Sequence, residues 1–118
     1  MRQLTKEEEY IILHKGTEAP FSGEYCHFNE AGMYHCKQCD AILFNSCDKF
    51  PSHCGWPSFD QAVEGQITYQ LDADGQRTEI VCKQCGGHLG HIFEGEGFTP
   101  KNRRYCVNSL SLLFKKNK

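Results

Sequence analysis

Eight cysteines, six histidines and a single tryptophan are the residues of this 118-residue chain best suited to chemistry, and their spacing divides them into two sets. Cys36-Lys37-Gln38-Cys39 recurs as Cys82-Lys83-Gln84-Cys85, each copy preceded by a strand-like segment and followed four residues later by Leu43 or Leu89. A Cys-x-x-Cys turn points two sulfurs into one hemisphere, and two such turns from separate hairpins complete a tetrahedron around Zn²⁺. The gap between the copies exceeds that of a zinc ribbon, so one structural zinc on Cys36, Cys39, Cys82 and Cys85 would staple two distant parts of the chain. A redox Cys-x-x-Cys needs one motif at a helix start within a βαβ unit, and neither copy has that context. A local set of Cys82, Cys85, His88 and His91 would leave Cys36 and Cys39 without a role and give the chain little room to wrap a tetrahedron.

Cys26, Cys47, Cys54 and Cys106 form the second set. In Arg103-Arg104-Tyr105-Cys106-Val107-Asn108-Ser109 the two-residue period of a strand places Arg104, Cys106 and Asn108 on one face and Tyr105 and Val107 on the other. An arginine beside a thiol favours the thiolate, which a nucleophilic cysteine needs. A lone strand cysteine is ordinarily a small buried hydrophobe, and the polar companions of Cys106 weigh against that reading. His88-Leu89-Gly90-His91 adds two imidazoles able to relay protons near neutral pH, although two histidines three apart are also common as plain surface or core residues. Trp56 sits in Cys54-Gly55-Trp56-Pro57-Ser58-Phe59, where a large ring on a rigid loop either fills the core or walls a pocket for a small apolar group.

These groups need a scaffold. Residues 5–14 read as one short helix, with Thr5 and Glu8 as a capping box and Gly16 at its close. Short apolar runs follow: Met33 to Cys36 after Gly32, Ala41 to Phe44, Ile67 to Leu71, Arg77 to Val81 and Val107 to Phe114, with Asp74-Gly75 as a hairpin turn. Phe50 to Phe59, carrying Pro51, Gly55 and Pro57, reads as an ordered loop without regular structure. The expectation is a single, mainly β domain over 1–118, with a basic tail at 115–118. No apolar run approaches the ~20 residues of a membrane span. The N-terminus MRQLTKEEEY is too charged for a signal peptide, which points to a cytoplasmic protein and away from a disulfide framework. With Lys+Arg 13 against Asp+Glu 15, nucleic acid is a poor partner.

Together, Pro20-Phe21-Ser22-Gly23, Tyr34-His35-Cys36-Lys37-Gln38-Cys39, Gly55-Trp56-Pro57-Ser58-Phe59, His88-Leu89-Gly90-His91 and Arg104-Tyr105-Cys106-Val107-Asn108-Ser109 resemble the peptide-methionine (R)-S-oxide reductase family, the B-type methionine sulfoxide reductases. The resemblance runs from about Leu4 to Phe114. It implies two small antiparallel sheets with a zinc site remote from the catalytic face. It further implies Cys106 as the thiolate that attacks the sulfoxide sulfur, with His88, His91, Arg104 and Asn108 as the network that protonates the oxygen and Trp56 holding the methyl group. Cys54 matches the resolving cysteine that would form a Cys54–Cys106 disulfide, which thioredoxin would reduce. The substrates implied are oxidised peptides and proteins, repaired by a monomer.

The chain departs from the common Asp-Gly-Pro after the histidine motif, reading Glu94-Gly95-Glu96-Gly97-Phe98, and Phe98 is expected to line the substrate site. Cys26 and Cys47 lie outside the family's pattern; each is a buried hydrophobe or an alternative resolving thiol. Two other functions compete: a zinc-stapled binding module that does not depend on Cys106, and a cysteine hydrolase, for which no oxyanion-hole turn surrounds the thiol.

Overall fold

The computed structural model describes residues 1–52, 54–72, 74–97 and 99–116. The helix α1 (Lys6–Ile12) begins as expected: the Thr5 hydroxyl accepts the Glu8 N–H at 3.2 Å, and the Glu8 carboxylate accepts the Thr5 N–H at 2.8 Å. Glu7, Glu8 and Glu9 in its first turn complement the positive end of the helix dipole. The helix ends earlier than residue 14, and Lys15, not Gly16, takes the left-handed backbone, with φ 58°. Gly16 serves by lacking a side chain, because a Cβ there would run into the Tyr10 ring.

Among the described residues eight strands follow: β1 (Gly32–Cys36), β2 (Ile42–Asn45), β3 (Ser58–Phe59), β4 (Ile67–Leu71), β5 (Thr78–Cys82), β6 (His88–Glu94), β7 (Arg103–Val107) and β8 (Leu112–Lys116). They form two antiparallel sheets, ordered β2-β1-β8 and β3-β7-β6-β5-β4. This is the mainly β, two-sheet arrangement expected. Tyr34, Leu43, Phe44 and Leu112 from the first sheet and Phe59, Ile80, Leu89 and Val107 from the second belong to one buried cluster. Phe59 joins the sheets directly: its ring stacks on Phe44 at 4.4 Å and meets the edge of Tyr34 at 5.0 Å.

Two runs depart from expectation. Val107 to Phe114 is not one segment: Val107 ends β7 in one sheet, a 3₁₀ turn spans Ser109–Ser111, and Leu112 begins β8 in the other. The cause is the buried Glu18 carboxylate, which accepts the Ser109 and Leu110 N–H groups at 2.7 and 3.2 Å and draws them away from any ladder. The loop from Phe50 to Phe59 is irregular at its described residues through Pro57, but its last two residues become β3, with Ser58 opposite Cys106. The Asp74-Gly75 turn is present in a wider form. Asp72 and Arg77 close it, and the Asp74 carboxylate accepts the Gln76 and Arg77 N–H groups at 2.9 and 3.1 Å.

Candidate active site

Strand β7 carries Cys106 between two partners, Ser58 of β3 and His91 of β6. Gly90 precedes His91 because nothing larger fits: a Cβ there would run into the Cys106 carbonyl. Around this junction lies a pocket of about 150 Å³ lined by Thr17, Cys54, Trp56, Arg77, Gly90, His91, Phe93, Arg104, Cys106, Val107 and Asn108. That volume suits one side-chain end, not a bulky cofactor. Six of the expected site residues thus meet at one cavity: Cys54, Trp56, His91, Arg104, Cys106 and Asn108. His88 stands outside the lining, its ring edge-on to His91 at 5.8 Å. Phe98 lies outside the described residues, as does Lys118 of the basic tail.

Each side chain at the pocket is anchored. The Trp56 indole N–H donates to the Glu18 carbonyl at 3.0 Å, which fixes the ring. Asn108 accepts the Glu18 N–H at 3.0 Å and donates to the Leu89 carbonyl at 3.1 Å, joining three segments behind the cavity. Arg104 donates to Glu96 from Nε at 2.8 Å and Nη2 at 3.2 Å and lies over the Phe93 ring at 4.4 Å. Glu96 comes from the Glu94 to Gly97 stretch, where Gly95 and Gly97 both adopt positive φ. The departure from the common loop therefore still delivers a carboxylate to Arg104.

The two thiols are adjacent. Cys54 and Cys106 Sγ lie 3.7 Å apart, beyond the ~2.05 Å of a disulfide but in contact. One proton and one charge divide unequally between them. Cys54 is lowered to about 4, first by the hydrogen bond from Cys106, then by the Ser52 and Ser58 hydroxyls at 3.1 and 3.4 Å, against the effect of burial. Cys106 is pushed up, first by that same bond and then by burial, while the Arg104 guanidinium pulls it down. Arg104 thus acts on Cys106 as the strand period implies, but the neighbouring sulfur outweighs it in the resting pair.

The knuckle cysteines form a separate cluster. The sulfurs of Cys36, Cys39, Cys82 and Cys85 all lie within 4.8 Å of one another, with Cys36–Cys85 at 3.6 Å and Cys39–Cys82 at 3.5 Å. Four thiolates ~2.3 Å from one ion in a tetrahedron would be ~3.8 Å apart, so the donor set fits a single metal ion. The two turns are alike in backbone as well as sequence. Asp40 and Gly86, each four residues past the first cysteine, take φ 69° and 76°, and each donates its N–H back to that cysteine's carbonyl. His88 and His91 take no part in this cluster. Of the remaining thiols, Cys26 is half-buried with its sulfur 3.9 Å from His27 Nε2, and Cys47 is exposed in the 3₁₀ turn after β2.

The SelR domain family model matches residues 4–116. The chain belongs to the SelR domain family. It is 52% identical over 112 residues to peptide methionine sulfoxide reductase B3 of Arabidopsis thaliana, covering 94% of this chain and 64% of that protein. It is 47% identical over 127 residues to the mitochondrial methionine-R-sulfoxide reductase B2 of Homo sapiens, covering 99% and 69%. Against the peptide methionine sulfoxide reductase MsrB of Teredinibacter turnerae it is 50% identical over 119 residues, covering 98% and 87%. The chain thus spans less than two thirds of the Arabidopsis B3 protein. Among solved structures, the Mis18 'Yippee-like' domain shares the fold, with TM-score 0.55 at 19% identity, covering 75% of this chain and 99% of that one.

In this SelR domain the acidic residues beside the site come from segments that carry no motif. Asp72 pairs with His91, Glu79 with His88, Glu96 with Arg104, and Glu18 with the backbone just after Asn108. Among the described residues no helix is long and apolar enough to cross a membrane.

Proposed function

We propose that this chain reduces peptide-bound methionine (R)-S-oxide to methionine, with Cys106 as nucleophile and Cys54 as resolving thiol. It is a peptide-methionine (R)-S-oxide reductase, an oxidoreductase of protein repair. The observation that carries the reading is the pair of thiols 3.7 Å apart at a side-chain-sized pocket walled by Trp56, His91 and Arg104. The names of relatives near 50% identity support it.

The chemistry follows from those groups. The Cys106 proton passes across to Cys54, and the Cys106 thiolate, facing Arg104, attacks the sulfoxide sulfur while the oxygen takes up a proton from the histidine network. Methionine leaves and Cys106 is left as a sulfenic acid. Cys54 then attacks that sulfur, releasing water and forming the Cys54–Cys106 disulfide, which a dithiol such as thioredoxin reduces by exchange. The fixed Trp56 ring offers an apolar face to the methyl group on sulfur. Asn108 holds β6 against the Glu18 segment, keeping His91 and Trp56 at one cavity. One Zn²⁺ held by Cys36, Cys39, Cys82 and Cys85 would fix the scaffold. Oxidised proteins are the substrates and the enzyme acts as a monomer. Relatives named as chloroplastic and mitochondrial tie the family to no single compartment.

Turnover of the two separated sulfoxide epimers with dithiothreitol tests the reading. Activity confined to the R form is expected; activity only on the S form, or on neither, overturns it. For recycling, Cys54→Ser should complete one turnover, since the substitution removes the sulfur that competes with Cys106 for the charge. Thioredoxin-supported cycling should then fall at least tenfold. Unaffected cycling would move the resolving role to Cys26 or Cys47.

A further inference from the structure

Strand β5 and the turn before it are unremarkable as sequence, yet they supply an acid to each histidine of the site. Glu79 of β5 is almost wholly buried, with its side chain 2% exposed, and both of its oxygens are engaged. Oε1 accepts from Lys15 Nζ at 3.1 Å and from Gln70 Nε2 at 2.8 Å, and Oε2 meets His88 Nδ1 at 2.7 Å. Asp72, just beyond β4, meets His91 at its other nitrogen, Nε2. The imidazoles are therefore gripped from opposite ends. The second nitrogen of His88, Nε2, is buried and has no hydrogen-bond partner among the described residues.

We infer that Glu79 and Asp72 are positioning residues that hold the two histidines as opposite tautomers, with Glu79 fixing His88 as the Nδ1–H tautomer and leaving Nε2 a bare acceptor. A carboxylate accepts only, so the atom facing it must donate: Nδ1 in His88 and Nε2 in His91. Glu79 is held in the carboxylate form by Gln70, His88 and Lys15 in spite of its burial. The charged and titratable groups facing His88 are Glu79 from β5, Lys15 from the segment after α1 and His91 from its own strand. Burial dominates among their effects and keeps His88 below the usual imidazole range, hence neutral. A neutral ring with its proton on Nδ1 places a lone pair, not a proton, on Nε2. His88 thus keeps a bare acceptor at its buried Nε2, and by the same rule His91, whose Nε2 proton faces Asp72, is left with its lone pair on Nδ1. The assignment rests on the reductase reading for its purpose but not for its geometry.

Nitrogen NMR of the histidine rings in the full chain tests it. Wild-type His88 is expected to show a protonated Nδ1 and an unprotonated Nε2. Glu79→Gln offers both a donor and an acceptor in nearly the same shape, so the single tautomer should be lost. kcat for the R epimer should fall by about 10- to 100-fold with KM little changed, the scale typical of a residue that orients another's ring. A wild-type His88 protonated on Nε2 overturns the inference with no variant needed, so a variant that fails to fold does not leave it open. A Glu79→Gln chain with unchanged kcat overturns it as well. If the wild type reduces neither epimer, the functional reading falls while the tautomer is still measured; if it reduces the R form and the tautomer is wrong, only this inference falls.

Discussion

Cys106→Ser should bring methionine sulfoxide reduction below detection while leaving the fold intact. A serine hydroxyl is not ionised near neutral pH and is a poor nucleophile toward sulfur, so residue 106 can no longer carry out the bond-forming step. Removing a nucleophile from a site that works as a unit costs about 10⁴-fold or more. The substitution is nearly isosteric, and the backbone of residue 106 keeps its pairing with Ser58 and His91, so the unfolding midpoint should move little. A second, independent readout lies in the neighbouring thiol. Cys54 is lowered to about 4 chiefly by the hydrogen bond from Cys106, so in a Cys106→Ala chain, which has no donor at that position, its pKa should rise. The sign is then definite: wild-type Cys54 is largely thiolate at pH 5 and should alkylate readily with iodoacetamide, whereas in Cys106→Ala alkylation at pH 5 should slow while that at pH 9 persists. Undiminished turnover of the R epimer in Cys106→Ser would exclude Cys106 as nucleophile.

What could be read from the chain alone, and what could not, separates along one physical line. The knuckles were legible because ligand spacing is local, and Cys106 with Arg104 because a strand alternates every two residues. The capping box at Thr5 and Glu8 is likewise a contact three residues long. The groups that tune the site are not local. Glu18 reaches Ser109 across 91 positions, and Asp72 reaches His91 across 19. Neither sits in a patterned segment, so only the sheet register reveals them. The same holds for the break after Val107: an apolar run that continues to Phe114 gives no sign that Glu18 will claim its backbone donors and turn it into the second sheet. Lys15 in place of Gly16 is a subtler case, where the glycine was needed for the approach of Tyr10 and the strain fell on its neighbour. The electrostatics of the thiol pair was hidden for a related reason. Arg104 is two residues from Cys106 and could be weighed, but Cys54 arrives from a loop 52 positions away and decides where the charge sits.

Cys36→Ser, or removal of the metal by a strong chelator, should unfold the chain. Cys36 ends β1 in one sheet and Cys82 ends β5 in the other, so an ion on the four sulfurs ties the two sheets at one end. Beyond the second knuckle the chain runs straight into β6, which carries His88 and His91 and pairs with the strand of Cys106. Loss of the ion would therefore free the register that brings His91 to Cys106 as well as the join between sheets. A structural zinc contributes ~10–16 kcal/mol in small domains at neutral pH, which matches or exceeds the ~5–15 kcal/mol net stability of a typical domain. A chain of this size buries too little apolar surface to absorb such a loss. The wild type should therefore bind one zinc per chain and show a cooperative transition with Trp56 fluorescence as probe. The Cys36→Ser chain should bind less than one zinc and show no native transition at 25 °C. His91→Ala, which touches none of the four sulfurs, should keep its zinc and its transition while losing activity. Full zinc content and an unchanged transition in Cys36→Ser, or zinc lost only in the histidine variant, would show that the four cysteines do not hold the structural ion.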